Sequence, residues 1–370
     1  PFFMLAGYFM MTGGVSRRIF DFADSLVGWL PGGMGIVNVV SSMIFGGMSG
    51  SSVADTAGLG PIELEAMTKY KYPLNYSAAI TVSSSCLSVV IPPSVLLVMY
   101  GVMAGTSVGA MLLAGVLPGL LISLALIVVN VIYCKRNRWG YSEVKELNLR
   151  RLWTKTRESF WALLTPLVLL GGILSGLVTP TEASAIAVLY TLILGLFVYK
   201  ELSLRDLPGI LVRTGKTAGV ALIVVGMSSM ATFLLTAERV PDTIAMAISG
   251  LHLPPFVVML SIVLFLLMVG MFINAVVSIT VLVPILLPIA TALGYDPVHF
   301  GVIMVATLAI GLITPPVGSC LFVVSSISGL SIEEVTRSLL PFYVALILTM
   351  TVLVLFPQIS LGLPKIVLGG

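Results

Sequence analysis

Charge is what this 370-residue sequence has least of: 9% of its residues are Asp, Glu, Lys or Arg, against 58% hydrophobic. A soluble domain carries roughly 25% charged residues, so a water-facing globule is excluded. No polar stretch is long enough to form a separate soluble domain. The longest, Lys135 to Glu158, is a basic connector. The net charge of +3 gives no support for a nucleic-acid partner, because the cations flank apolar runs. Cysteine is equally sparse. Cys86, Cys134 and Cys320 have the spacing of neither a zinc site nor a disulfide framework, and read as buried small hydrophobes. The only histidines are His252 and His299, both at the ends of predicted elements and expected at the interface.

What remains is apolar sequence. Several runs of about 20 hydrophobic residues follow one another, each long enough to cross a bilayer as a helix. The expected fold is an all-α polytopic membrane protein. Its runs are interrupted in an ordered way. Phe45-Gly46-Gly47-Met48-Ser49-Gly50-Ser51-Ser52-Val53-Ala54-Asp55 is a glycine- and serine-rich kink, and Gly270-Met271-Phe272-Ile273-Asn274-Ala275 is a second. A single shift along the chain brings Met48 onto Met271. The same shift carries Pro31 onto Pro254, Pro61 onto Pro284, Pro92-Pro93 onto Pro315-Pro316, and Pro118 onto Pro341. Five of the seven prolines before residue 148 find a partner, where 21 prolines in 370 positions give less than one by chance. The chain therefore reads as a duplication.

In order, residues 2–14 read as the end of a span. Ser16 to Leu30 follows as an interfacial amphipathic helix, with Ile19, Phe22, Leu26, Trp29 and Leu30 on its apolar face. Its counterpart is Glu238 to Leu251. Residues 34–67 form a re-entrant hairpin and 74–105 a helix broken at Ser83-Ser84-Ser85-Cys86 and at Pro92-Pro93, where proline removes a donor and clashes with the turn before it. The plan recurs as a hairpin over 254–288, tipped by Asn274, and a helix over 297–330 broken at Thr307 and at 311–316. Continuous spans are expected at 110–134, 159–179, 181–199, 216–236 and 336–357. The domains are thus a first repeat, 1–147, and a second, 148–370. The first repeat lacks a counterpart of residues 159–223, which is expected ahead of Pro1 as about 60 residues in two spans.

Five crossings separate the hairpins. Five is odd, so the second repeat is inverted relative to the first. This topology puts all of the 19 Lys and Arg residues except Arg239 and Lys365 on one side, as the positive-inside rule requires of the cytoplasmic face. The first hairpin is then expected to open from the cytoplasm, and the second hairpin and the C-terminus from the opposite face.

Backbone groups freed by a break cannot face lipid; they line a cavity or hold an ion. Inverted repeats with paired broken helices mark the binding site of secondary transporters. Ser49, Ser51, Ser52, Ser83, Ser84, Ser85, Asn274, Thr307 and Thr314 offer neutral oxygens at the breaks, while Gly46, Gly47, Gly50, Gly311 and Gly318 allow close backbone approach. No Lys or Arg falls in either tip or break. An anionic substrate there would be balanced by helix ends, amide donors and co-transported cations, which points to a sodium-coupled organic anion with two cation sites, one per repeat. Asp55, the only carboxylate near a break, is placed either to take part in cation or proton chemistry or to cap the second hairpin arm.

The stretches Gly47 to Asp55, Ile91-Pro92-Pro93-Ser94, Pro297 to Met304 and, most specifically, Gly311-Leu312-Ile313-Thr314-Pro315-Pro316-Val317-Gly318 resemble the large membrane subunit of tripartite ATP-independent periplasmic (TRAP) transporters, a bacterial and archaeal family. The resemblance covers essentially the whole chain, although Ser83 to Ser85 and Ser88-Val89 depart from the Gly-Pro form expected before Pro92. It implies an inner-membrane protein taking up a carboxylate, such as a C4-dicarboxylate or sialic acid, driven by Na+. It also implies a small four-span membrane subunit and a periplasmic binding protein as partners, and an elevator-type motion of hairpins and broken helices against a scaffold. Carried over, one sodium site falls on Ser49, Ser51, Ser52, Ser83, Ser84 and Ser85, and the other on Asn274, Thr307, Gly311, Thr314 and Gly318. The substrate falls between Ser49, Gly50, Ser84, Pro92, Asn274, Thr314 and Pro315. Two alternatives compete. Gly47-Met48-Ser49-Gly50 matches the Gly-x-Ser-Gly of intramembrane serine proteases, which need a histidine base, but both histidines fall on the face opposite Ser49. An uncoupled channel or scaffold subunit would need a continuous polar pore, whereas polar residues here cluster at the breaks. The chain is not expected to be an enzyme.

Overall fold

Inside a bilayer every amide must find its partner within its own segment, and every regular element among the described residues is helical. The computed structural model describes residues 1–139, 148–238 and 254–369. Helix α1 (Phe2–Thr12) leads into α2 (Val15–Val27). The first hairpin is α3 (Gly33–Ser49) returning as α4 (Ser52–Gly58) and α5 (Gly60–Lys69). The first broken helix is α6 (Leu74–Ser85) with its one-turn extension α7 (Leu87–Val90), then α8 (Val95–Ala104). Long helices α9 (Val108–Asn137), α10 (Leu149–Leu174), α11 (Pro180–Ile193, ending in a π turn) and α12 (Leu207–Ala237) follow. The second hairpin is α13 (Pro255–Phe272) and α14 (Ala275–Ala292), and the second broken helix is α15 (Pro297–Gly311) and α16 (Ser319–Ser328). The described chain closes with α17 (Ile332–Leu355) and α18 (Gln358–Leu368).

The hairpin turns are tighter than the sequence suggested. Helix α3 runs through Phe45 to Ser49 and stops only at Gly50, whose left-handed φ of 59° reverses the chain. A Cβ there would stand 2.9 Å from the Val95 nitrogen, so the position admits only glycine. Ser51 is extended, and its hydroxyl accepts from Ala54 N–H to cap α4. The corresponding pair in the second hairpin, Ile273-Asn274, reaches the same end by a different route. Both residues are extended, and Asn274 Oδ1 accepts from Val276 N–H at 2.9 Å. Both Pro-Pro bonds of the broken helices are cis.

Several expectations change. Thr307 does not interrupt α15, whereas the first helix does stop within the expected Ser83-Ser84-Ser85-Cys86, α6 ending at Ser85 and α7 starting at Leu87. Thr307 Oγ1 donates to Ile303 O and Ser83 Oγ to Ala79 O, each within its own helix, so the hydroxyls are absorbed by back-bonding. (Cys86 is a single residue between α6 and α7.) Helix α2 buries Val15, Ser16, Ile19, Phe20 and Ala23, whereas Leu26 is exposed. Its packing against α3 and α10 selects that face, and Asp21 and Asp24 pair with Lys155 and Arg151 of α10. The span expected at 159–179 begins well before that, at the Asn148 cap, and ends before Gly176 at φ 70°. Most of the expected counterpart helix, Glu238 to Leu251, lies outside the described residues. His299 sits in the first turn of α15 as expected, but is fully buried with Nδ1 3.1 Å from Ser360 Oγ.

Packing repeats along with the sequence. In each unit the first hairpin arm crosses the first half of its broken helix at a contact of small residues. A Cβ on Gly46 would stand 2.5 Å from Ser88 Cα, and one on Gly311 would stand 2.6 Å from Gly270 Cα. The units are also cross-braced, since α4 packs on α16 and α14 packs on α8. Elsewhere apolar side chains face outward, as Leu124, Val128 and Ile132 do along α9, which is the surface a bilayer requires. Gly311→Ala should therefore lower thermal stability in detergent by roughly 1–3 kcal/mol. Gly171→Ala, where nothing lies within 4 Å, should leave it unchanged; equal melting curves for the two would contradict this packing.

Candidate functional site

All four interruptions meet at one cavity of about 290 Å³. The first tip contributes Ser49, Gly50, Ser51, Ser52, Val53 and Ala54, and the second contributes Asn274, Ala275 and Val276. Val89 and Val95 reach it from either side of the first helix break, and Leu312 from the second. Ala57 of α4 and Leu96 of α8 add to its lining, and the remaining wall comes from continuous helices: Met4, Gly7, Tyr8 and Met11 of α1, and Arg213 and Thr217 of α12. Of the proposed site residues, Ser49, Gly50, Ser51, Ser52 and Asn274 line the cavity. Ser83, Ser84, Ser85 and Thr307 are buried away from it; Pro92, Gly311, Thr314, Pro315 and Gly318 belong to the adjoining segments.

The first tip holds oxygens without partners. Ser49 Oγ, Ser52 Oγ and Asp55 Oδ1, each on a residue no more than 2% exposed, have no hydrogen-bond partner, and neither has Ser88 Oγ. Ser51 takes the cap of α4, so Asp55 does not; its carboxyl faces Ser42 and Ser88 instead. Uncharged hydroxyls with one carboxylate form a hard-oxygen donor set, the kind that suits an alkali or alkaline-earth cation. The second helix break, which packs on the second tip, is more fully bonded. Thr314 Oγ1 donates to Ile310 O, Gly318 N–H to Met271 O, and Tyr343 OH to the carbonyl of Ile313 in the break. The hydroxyl oxygens keep lone pairs free for a ligand.

Behind the first tip runs a polar network that inspection of the breaks did not reveal. Asn38 Nδ2 donates to Thr81 Oγ1 at 2.6 Å, Ser84 Oγ to Asn38 Oδ1 at 2.7 Å, and Ser41 Oγ to Glu63 at 2.9 Å. Asn38 and Glu63 are buried. The signal for Asn38 was present in the sequence, as a lone amide inside an apolar run, whereas Glu63, with Glu65 and Lys69 on the same helix, carried none. Arg213 was missed for a different reason. It lies outside every break and reaches the cavity only through the tertiary fold. For the protease alternative, no base approaches Ser49 among the described residues: its hydroxyl has no partner, His299 is bonded to Ser360, and His252 is outside the described residues.

Comparison with known proteins agrees with this architecture. The family model for the tripartite ATP-independent periplasmic transporter, DctM component, matches residues 1–359. The sialic acid TRAP transporter large permease protein SiaM of Vibrio cholerae is 42% identical over 370 residues, covering 100% of this chain and 86% of that protein. The C4-dicarboxylate TRAP transporter large permease protein DctM of Pseudomonas aeruginosa is 39% identical, covering 99% and 85%. The isethionate TRAP transporter permease protein DctMQ of Oleidesulfovibrio alaskensis is 40% identical, with 98% of this chain on 57% of that protein. Among solved structures, the YdaH transporter of Alcanivorax borkumensis superposes with a TM-score of 0.58 at 16% identity, over 95% of this chain and 83% of that one, a likeness of fold alone. By its sequence along nearly its whole length, the chain belongs to the DctM family of TRAP transporter large permease subunits.

Proposed function

We propose that this chain is the membrane-embedded, sodium-coupled subunit that imports an organic acid anion of the sialic acid or C4-dicarboxylate kind. The observation that carries this reading is the cavity itself. Both hairpin tips face it together, and unpartnered oxygens of Ser49, Ser52 and Asp55 are buried beside it. Sodium is here a co-substrate. One ion is held by the first tip, through Ser49, Ser52 and Asp55 with Ser51 at the turn and Ser83 to Ser85 behind it. A second is held near Asn274, Thr307, Gly311, Thr314 and Gly318. The anion lies between Ser49, Gly50 and Asn274, flanked by the segments of Ser84, Pro92, Thr314 and Pro315.

On this reading residues 1–147 and 148–370 are two oppositely inserted repeats in a bacterial inner membrane. The first hairpin opens from the cytoplasm and the C-terminus is periplasmic. A periplasmic binding protein delivers the anion, and a small membrane subunit flanks the continuous helices. Hairpins and broken helices, cross-braced as described, shift together against that scaffold. The cation sites and the binding sites then travel as one body, which is what couples the two fluxes.

Two measurements check the reading. In vesicles reconstituted with both partner proteins, Ser52→Ala should raise the sodium concentration for half-maximal uptake about fivefold, as expected for one lost neutral ligand worth roughly 1 kcal/mol. Ser261→Ala, an exposed hydroxyl bonded to its own helix, should not. Identical sodium dependence in Ser52→Ala would remove the first tip from the cation site. Separately, a membrane-impermeant thiol reagent should label Lys69→Cys only from the cytoplasmic side and Lys365→Cys only from the periplasmic side. Labelling of both from one side would refute the inverted topology.

A further inference from the structure

The anion needs a counter-charge, and neither hairpin tip nor helix break supplies one. The fold does. Of all the residues that line the cavity, Arg213 alone is charged. It belongs to α12, a continuous helix, and borders the same space as Ser51 and Asn274. Its guanidinium lies 4.8 Å from the centre of the Tyr8 ring of α1, a cation–π contact that steadies the side chain beside the cavity without neutralising it. Among the described residues Arg213 has no ion pair. Arg213 is exposed near the start of α12, and a guanidinium without an ion pair is free to donate a charge-assisted bond to an anion entering the cavity.

Arg213 also borders a second, adjoining cavity of about 430 Å³, walled by Arg205 and Asp206 just before α12 and by Gly209 in its first turn. Tyr8, Met11 and Arg213 are common to both. Arg205 and Asp206 precede α12 in the segment assigned to the cytoplasmic face, so the two spaces together lead from the hairpin tips toward the cytoplasm. Arg213 stands at their junction.

We propose that Arg213 is the anion-recognising residue of this site, binding the carboxylate of the transported acid from the scaffold side while the tips hold the remainder. The proposal rests on the transporter reading above. A planar guanidinium offers two parallel donors to a carboxylate, a match that a lysine ammonium does not reproduce. Because Arg213 belongs to neither hairpin nor broken helix, its contact with the acid is made only while the tips stand at the level of α12. It therefore selects the anion at one stage of the cycle.

The test uses the large subunit with its small membrane partner, purified in detergent, without the binding protein. Thermal stabilisation is followed during titration with succinate, N-acetylneuraminate and isethionate, and separately with sodium chloride. For whichever acid stabilises the wild type, Arg213→Gln should raise the half-maximal concentration at least tenfold, and Arg213→Lys should fall between. The sodium titration should stay within twofold in both. Arg205→Gln, on the second cavity only, should change the acid titration less than threefold. An unchanged acid titration in Arg213→Gln overturns the proposal while leaving the transporter reading in place. Loss of the sodium response in both Arg213 variants also overturns it, because the arginine would then support the fold. A wild type stabilised by none of the three acids counts against this proposal and the transporter reading together.

Discussion

A backbone amide stripped of its helical partner inside a bilayer costs several kcal/mol unless something else bonds it. The rest of this structure follows from how four such interruptions are accommodated. Each break is shortened to a few residues and closed locally. Gly50 N–H returns to Gly46 O, Ser51 and Asn274 cap the outgoing arms, and Ser94 caps α8 through Leu97 N–H. What cannot be closed locally is passed to a neighbour, as when Gly318 N–H bonds Met271 O and Tyr343 OH bonds Ile313 O. After this bonding a few oxygens at the first tip are left without a partner, and on the proposed reading those few hold the cation.

The same constraint explains the packing. Breaks must be shielded from lipid, so the hairpins need to press closely on the broken helices, and glycine makes that approach possible at Gly46, Gly270 and Gly311. Bracing between units then follows from position. The outgoing arm of each hairpin finds the far half of the other unit's broken helix, α4 on α16 and α14 on α8. Each hairpin is thereby held by the other unit as well as by its own. On the proposed transport reading, this makes cation and substrate sites move together.

Much of this was legible in the sequence, because a break in a membrane helix leaves a local signature. Gly50-Ser51 and Ile273-Asn274 lie at the predicted tips and keep the spacing of the duplication, and Pro92-Pro93 and Pro315-Pro316 lie in the two helix breaks. Thr307 is the polar position that does not break its helix. It bonds to its own helix and leaves it intact, since a threonine in lipid has that option and a proline does not. Asn38, Glu63, Tyr343 and Arg213 were beyond the reach of a search confined to breaks. Each lies on an uninterrupted segment and meets the site through tertiary packing alone.

The central claim is that the two hairpin tips, far apart in sequence, share one cavity in the membrane. It is tested most directly by cross-linking Ser51→Cys to Asn274→Cys in native membranes, in a chain with Cys86, Cys134 and Cys320 replaced. A short bifunctional thiol reagent should join the two positions within one chain and stop uptake, and reduction of a cleavable version should restore it. If the cysteines both react but never with each other, the tips do not meet and the account is wrong.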